Sequence, residues 1–229
     1  MSECEPWPPE KSAGTLAVLC SGGVDSAVLL AEALPYYAAV QPIYIRTGSR
    51  WEDVERQYLS RFLDAVASSR LRPLVSLTQP VDDLYGSHWC MTGNGVPDQN
   101  SPDEAVYLPG RNVLLLAKSL LWCHLNGVPE IAMAPLAANP FPDATPAFFD
   151  GFAAMVNTAV DGHVCVRRPY AHLKKADVLR RVPGLPWQHT FSCISPIEGL
   201  HCGRCNKCAE RRQAFAAAGV TDPTPYSNK

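Results

Sequence analysis

Two groups of residues in this 229-residue chain have the types and spacing that chemistry needs. The first is Ser21-Gly22-Gly23-Val24-Asp25-Ser26. A short apolar run, 16–20, leads into it, and a second, 27–33, leaves it. The first run reads as a buried strand and the second as a helix. Glycines let the chain turn sharply and bring its backbone close to a ligand. The free N–H groups at the start of a helix attract anions, and Ser21, Asp25 or Ser26 can cap that start. The stretch therefore reads as a phosphate cradle at a strand-to-helix turn. It is not the longer loop ending in Gly-Lys-Ser/Thr, because it contains no lysine.

The second group is Cys193, Cys202, Cys205 and Cys208, separated by eight, two and two residues. Four thiolates at such gaps match a tetrahedral structural zinc site, with an iron–sulfur cluster as the alternative. Gly203 supplies the freedom a tight knuckle requires. Four sulfurs close the metal's shell and leave no position for water, which makes the role structural. Cys4, Cys20, Cys90, Cys123 and Cys165 read as ordinary small or buried residues, with no disulfides expected in a reducing compartment. Cys20 abuts the glycine loop, where packing is the better reading than nucleophile.

The elements that must position these groups alternate. Strands are expected at 16–20, 40–45, 74–77, 130–135 and 164–168, with helices at 27–33, 52–67, 113–125, 146–160, 174–181 and 209–218. Strand–helix alternation on this scale implies parallel βαβ units and an α/β fold. The segment 79–107 has no clear period and reads as a lid, a binding loop or a disordered stretch, with His88 solvated within it. Ligands gather at the carboxyl edge of such sheets, so Asn139 and Asp143 become site candidates. Thr145 is the better cap for the helix at 146, which leaves Asp143 free for a ligand. Lys174 and Lys175 form either a solvated basic face or a lysine held near phosphate. Gly219 caps the last helix, and Arg211 follows Cys208 by one turn.

Hydrophobic content of 47% and charged content of 18% are those of an ordinary globular protein. A net charge of −2 gives no strong pull on nucleic acid, and none is expected to bind directly. No apolar run approaches the roughly 20 residues of a membrane helix. The N-terminal residues lack the pattern of a secretory signal, so a soluble cytoplasmic protein is expected. The chain divides into a flexible tail (1–12), a nucleotide-binding α/β domain (13–185) and a C-terminal helical metal element (186–229).

Ser-Gly-Gly-x-Asp-Ser resembles the pyrophosphate loop of the PP-loop ATP pyrophosphatases. The loop at 21–26, Pro109-Gly110-Arg111-Asn112, Phe141-Pro142-Asp143, Pro169, Lys175-Ala176-Asp177, the four cysteines and Arg211 occur in one order. Together, over residues 16 to 219, they resemble the 7-cyano-7-deazaguanine synthase family. The resemblance implies a Rossmann-like parallel sheet of the PP-loop (adenine nucleotide alpha hydrolase-like) type with a small C-terminal four-cysteine zinc element. It implies an ATP-dependent, AMP-forming ligase of queuosine-type deazapurine biosynthesis, working as a homodimer on 7-carboxy-7-deazaguanine and ammonia. The carboxylate is adenylated, ammonia displaces AMP to give the amide, and a second ATP converts the amide to the nitrile.

Carried onto this chain, the resemblance places Cys20, Ser21, Gly22, Gly23, Val24, Asp25, Ser26 and Arg50 at ATP. It makes Asp25, Arg111, Asp143 and Lys175 catalytic, with Asp25 a direct or water-mediated ligand of Mg²⁺. It puts Zn²⁺ on Cys193, Cys202, Cys205 and Cys208. The chain departs from the family pattern twice. Thr47-Gly48-Ser49-Arg50-Trp51 stands where the family has Tyr-Gly-Gln-Arg-His, and Ala137-Ala138-Asn139-Pro140 replaces an acidic, serine-containing stretch. Alternatives are a paralogue activating a different carboxylate or amine, a tRNA thiolation enzyme, and a nucleotide-binding module without catalysis.

Overall fold

The computed structural model describes residues 7–227. Five parallel strands form one sheet in the order β3-β2-β1-β4-β5. They are β1 (Ser12–Leu19), β2 (Tyr37–Arg46), β3 (Val75–Thr78), β4 (Glu130–Ala132) and β5 (Cys165–Arg167). The strand order reverses at β1, whose neighbours are β2 and β4. In an open α/β sheet such a reversal leaves a crevice at the carboxyl ends of the strands. The segments after β1 and after β4 border it.

Both faces of the sheet are covered, so β1 and β2 are apolar on both sides. Leu16, Val18, Val40 and Tyr44 pack with Val28, Leu29, Phe62 and Phe215 on one face. Ala17, Ile43 and Ile45 pack with Leu116, Leu120 and Phe149 on the other. The first face carries α1 (Val24–Ala33), α2 (Glu52–Ala65), α7 (Lys175–Leu179) and α8 (Asn206–Ala218), and the second carries α5 (Arg111–Leu125) and α6 (Pro146–Ala159). Among the described residues, no helix is long and apolar enough to cross a membrane.

The segment 79–107 is ordered rather than structureless. It contains α3 (Asp82–Tyr85), α4 (Trp89–Thr92) and a 3-10 turn at Asp103–Val106. It straps onto the cysteine element: Gln99 N donates to the Arg204 carbonyl (2.9 Å) and Asn206 N to the Pro97 carbonyl (3.0 Å). His88 is not a solvated loop residue. Its Nδ1 accepts from Cys90 N at 3.3 Å and caps α4, because a four-residue helix needs a partner for its first donors. Cys165 is disulfide-bonded, against the expectation of no disulfides, since pairing depends on approach in space and not on spacing along the chain.

Two caps were tested by the fold. Thr145 Oγ1 accepts from Phe148 N (3.2 Å), so Thr145 caps α6 as expected. Asp143 is not left free. Its Oδ2 accepts from Asn112 N (2.9 Å), and Asn112 Nδ2 donates to the Asp143 carbonyl (2.9 Å). The carboxylate thus holds the first turn of α5, where helix N–H groups lack internal partners. Asp143→Ala should lower stability by about 1 kcal/mol, a typical cost for losing a helix cap. Thermal unfolding measures this, and an unchanged midpoint would contradict it.

Candidate active site

The glycine loop fills the short gap between β1 and α1. Gly22 sits at φ +73°, and a Cβ there would lie 3.2 Å from the Glu55 carbonyl. Only glycine takes this backbone without strain. Ser26 Oγ accepts from Ser21 N (3.3 Å) and donates to the Gly23 carbonyl (3.1 Å), pinning the loop to the helix. Gly23 is the N-cap of α1, and no side chain caps it. The expected cap from Ser21, Asp25 or Ser26 is therefore absent, because the serines bond within the loop and Asp25 turns to a lysine. The first-turn N–H groups of α1 remain available to an anion.

These groups open on a cleft of about 560 Å³. Its other walls are Arg111 and Asn112 at the start of α5, Ala134, Leu136, Asn139 and Phe141 after β4, Lys175 on α7, and Phe191 and Glu210 from the C-terminal segment. A side lobe of about 190 Å³ runs past Leu19, Cys20, Tyr44 and Ile45. Arg111, Asp25, Lys175, Ser21, Gly23 and Val24 thereby border one cleft. Asp143 also borders the cleft, with one oxygen already committed to α5.

Charge in the cleft is arranged around one lysine. Lys175 Nζ lies 3.3 Å from Asp25 Oδ2 and 2.6 Å from Glu210 Oε1, and Lys207 Nζ lies 2.8 Å from Glu210 Oε2. Burial opposes the ionised form of Glu210, yet Lys175 and Lys207 hold its carboxyl down to about 2. Burial pushes the Asp25 carboxyl up, with Lys175 pulling the other way. Burial also works against the Lys175 cation, but Asp25 and Glu210 raise it above an ordinary lysine. The lysine is therefore charged at neutral pH. Asp25 Oδ1 is buried and has no partner among the described residues.

Arg50 does not reach the cleft. Its guanidinium donates to the Thr92 carbonyl (2.9 Å) on the strap. The next residue, Trp51, lines the cleft instead and stacks on Trp89 with centroids 5.7 Å apart. The bond to the strap holds Arg50 away, while Trp51 at the N-cap of α2 faces the cleft. Cys20 lines the side lobe, but its thiol donates to the Val18 carbonyl (3.4 Å), and burial pushes it up to about 12. It packs and is poorly suited to nucleophilic attack.

Trp51, Phe191 and Glu210 line the cleft without having been singled out in the sequence, and so does Glu55. Glu55 on α2 is buried and accepts from the Tyr44 hydroxyl at 2.5 Å. The signal lay in the spacing of Glu52, Glu55, Leu59 and Phe62, which share one inward stripe of α2.

The four cysteines converge. All are buried, and their sulfurs lie within 4.8 Å of one another. Cys193 and Cys205 Sγ are 3.9 Å apart, and Cys202 and Cys208 Sγ are 4.0 Å apart. A tetrahedron with metal–sulfur bonds of about 2.3 Å has edges of about 3.8 Å, so the donor set fits one such ion. Backbone N–H groups of Ser195 and Cys202 donate to Cys193 Sγ, and that of Cys205 to Cys202 Sγ, each at 3.3 Å, favouring thiolates. Gly203 takes φ +74° in the knuckle, as its position suggests. The cysteine element also grips the glycine loop, since Phe191 N donates to the Gly22 carbonyl at 2.7 Å.

A parallel sheet reversing at β1, with an uncapped glycine loop at the reversal and four converging cysteines near the C-terminus, makes this an α/β protein with an anion-ready loop beside its cleft. Residues 15–219 match the model of the queuosine biosynthesis protein QueC. The chain belongs to that family. It is 33% identical over 221 residues to a 7-cyano-7-deazaguanine synthase of Azoarcus sp., covering 91% of this chain and 95% of that protein. It is also 33% identical to the synthase of Thiobacillus denitrificans, covering 92% and 97%. Among solved structures it is similar in fold to the U34-tRNA thiolase NcsA of Methanococcus maripaludis with its 4Fe-4S cluster. That match has a TM-score of 0.42 and 14% identity, and covers 74% of this chain and 55% of that one.

Proposed function

We propose that the protein is an ATP-dependent ligase that converts 7-carboxy-7-deazaguanine and ammonia to 7-cyano-7-deazaguanine, releasing AMP and pyrophosphate. The observation that carries this reading is the uncapped start of α1, which opens on the same cleft as Lys175 and Arg111 in a chain of the QueC family. The first-turn N–H groups hold the departing pyrophosphate, and Lys175 adds positive charge beside it. Arg111 binds the substrate carboxylate or the transferring phosphate as a fork. The unpartnered Asp25 Oδ1 suits a Mg²⁺ ion, which neutralises phosphate charge when bound. Zn²⁺ suits the four sulfurs, whose separations match a single tetrahedral ion. A cytoplasmic homodimer using free ammonia completes the reading.

The test supplies ATP, Mg²⁺, ammonia and 7-carboxy-7-deazaguanine, and follows AMP, pyrophosphate and the nitrile by mass. Formation of all three is expected. Absence of the nitrile with this substrate would overturn the reading. A different carboxylate is the second reading, favoured because Trp51 lines the cleft where the family has histidine. A thiolase would need a reactive cysteine, yet burial pushes both Cys20 and Cys123 up to about 12.

A further inference from the structure

Glu55 stands at the waist of the cleft. It borders both the main cavity and the side lobe, as do Ser21, Asp25 and Arg111. One of its carboxylate oxygens is fixed by the Tyr44 hydroxyl at 2.5 Å. Nothing in the activation of a carboxylate by ATP uses such a group, because the substrate's own oxygen attacks phosphorus. The nitrile-forming half of the proposed reaction does. The amide nitrogen carries two protons, and both must leave before a carbon–nitrogen triple bond can form. The first departs as the amide oxygen attacks the α-phosphorus and pyrophosphate leaves. The second departs as the carbon–oxygen bond to AMP breaks.

We propose that Glu55, oriented by Tyr44, is the catalytic base that takes this second proton. The N–H electron pair becomes the new carbon–nitrogen π bond, the carbon–oxygen pair leaves with AMP, and the proton resides on Glu55 until solvent removes it. The assignment rests on the ligase reading above. The charged and titratable groups facing Glu55 are Tyr44 on β2, Arg111 on α5, Glu52 one turn earlier on α2, and Asp25 across the cleft. Burial pushes the Glu55 carboxyl up to about 7, with Tyr44 and Arg111 opposing. A base in that range is half-charged at neutral pH and a competent acceptor there. Turnover should accordingly rise with pH as Glu55 ionises, on a limb centred near 7.

The experiment feeds the wild-type protein the amide intermediate with Mg²⁺ and ATP, so that no ammonia titration intrudes, and records kcat for the nitrile against pH. Glu55→Gln keeps the shape of the side chain and its bond from Tyr44. It should lower kcat by about 100-fold or more, the usual contribution of general base catalysis, and abolish the pH limb. ATP–pyrophosphate exchange driven by 7-carboxy-7-deazaguanine, which moves no nitrogen proton, should stay near the wild-type rate. Tyr44→Phe removes a donor to the ionised carboxylate and should move the limb to higher pH. A wild-type rate or an unchanged limb in Glu55→Gln would overturn the assignment, as would equal loss of the exchange reaction. Wild-type protein that makes no nitrile would remove the ligase reading itself, before any variant is compared.

Discussion

Asp25→Ala should lower AMP formation by about 100-fold to 1000-fold, the scale set by losing one charge-stabilising group at a reacting centre, while the chain stays folded. Asp25 lies in the first turn of α1, where its neighbours are the N–H groups assigned to pyrophosphate. One oxygen meets Lys175 at 3.3 Å and the other has no partner among the described residues. Alanine removes both the carboxylate proposed to hold Mg²⁺ and the orienting partner of the lysine. The fold has little to lose, because Lys175 keeps its shorter contact to Glu210 at 2.6 Å. Burial already disfavours the Asp25 charge, so its removal relieves that cost. AMP released with 7-carboxy-7-deazaguanine, measured beside the unfolding midpoint, separates the two effects. Asp25→Asn sharpens the test: it keeps shape and hydrogen bonding but offers no charge to Mg²⁺. A wild-type rate in Asp25→Ala would take the residue out of the mechanism.

What could be read from the sequence was what neighbouring residues encode together. The strand, the bend at Gly22 and Gly23, and α1 follow one another without interruption, so their geometry is local. The cysteine gaps are equally self-contained, and the sulfurs do meet. Several of the misreadings involve partners brought from elsewhere. Asp143 spends an oxygen on Asn112, which lies 31 residues away in the sequence. Glu55 is not singled out in the sequence, and its partner Tyr44 comes from a different element, β2. Arg50 and Trp51 are adjacent, and the direction of entry into α2 decides which faces the cleft. The segment 79–107 hides helices of four residues, too short to display a period. Its order comes from the backbone bonds to Arg204 and Asn206.

Cys205→Ser should release the metal, lower the melting temperature and reduce AMP formation together. Structural zinc supplies folding free energy directly, on the order of 10 kcal/mol in small zinc domains, and a serine cannot replace the thiolate at neutral pH. Cys205 is also the N-cap of α8, so an ion held by the cluster would fix where that helix begins. From α8, Glu210 reaches back to Lys175, and Arg211 is buried against the Thr190 hydroxyl (2.9 Å) and the Trp187 carbonyl (3.1 Å). Beside the cluster, Phe191 holds the Gly22 carbonyl. Loss of an ion from the cluster would therefore loosen two supports of the cleft, the lysine and the glycine loop, although none of the four clustered cysteines lines it. Elemental analysis, thermal unfolding and AMP release on one preparation test the chain of consequences. Unchanged metal content and melting temperature would discard the structural role. Metal loss with full activity would cut the link between the cysteine cluster and the loop.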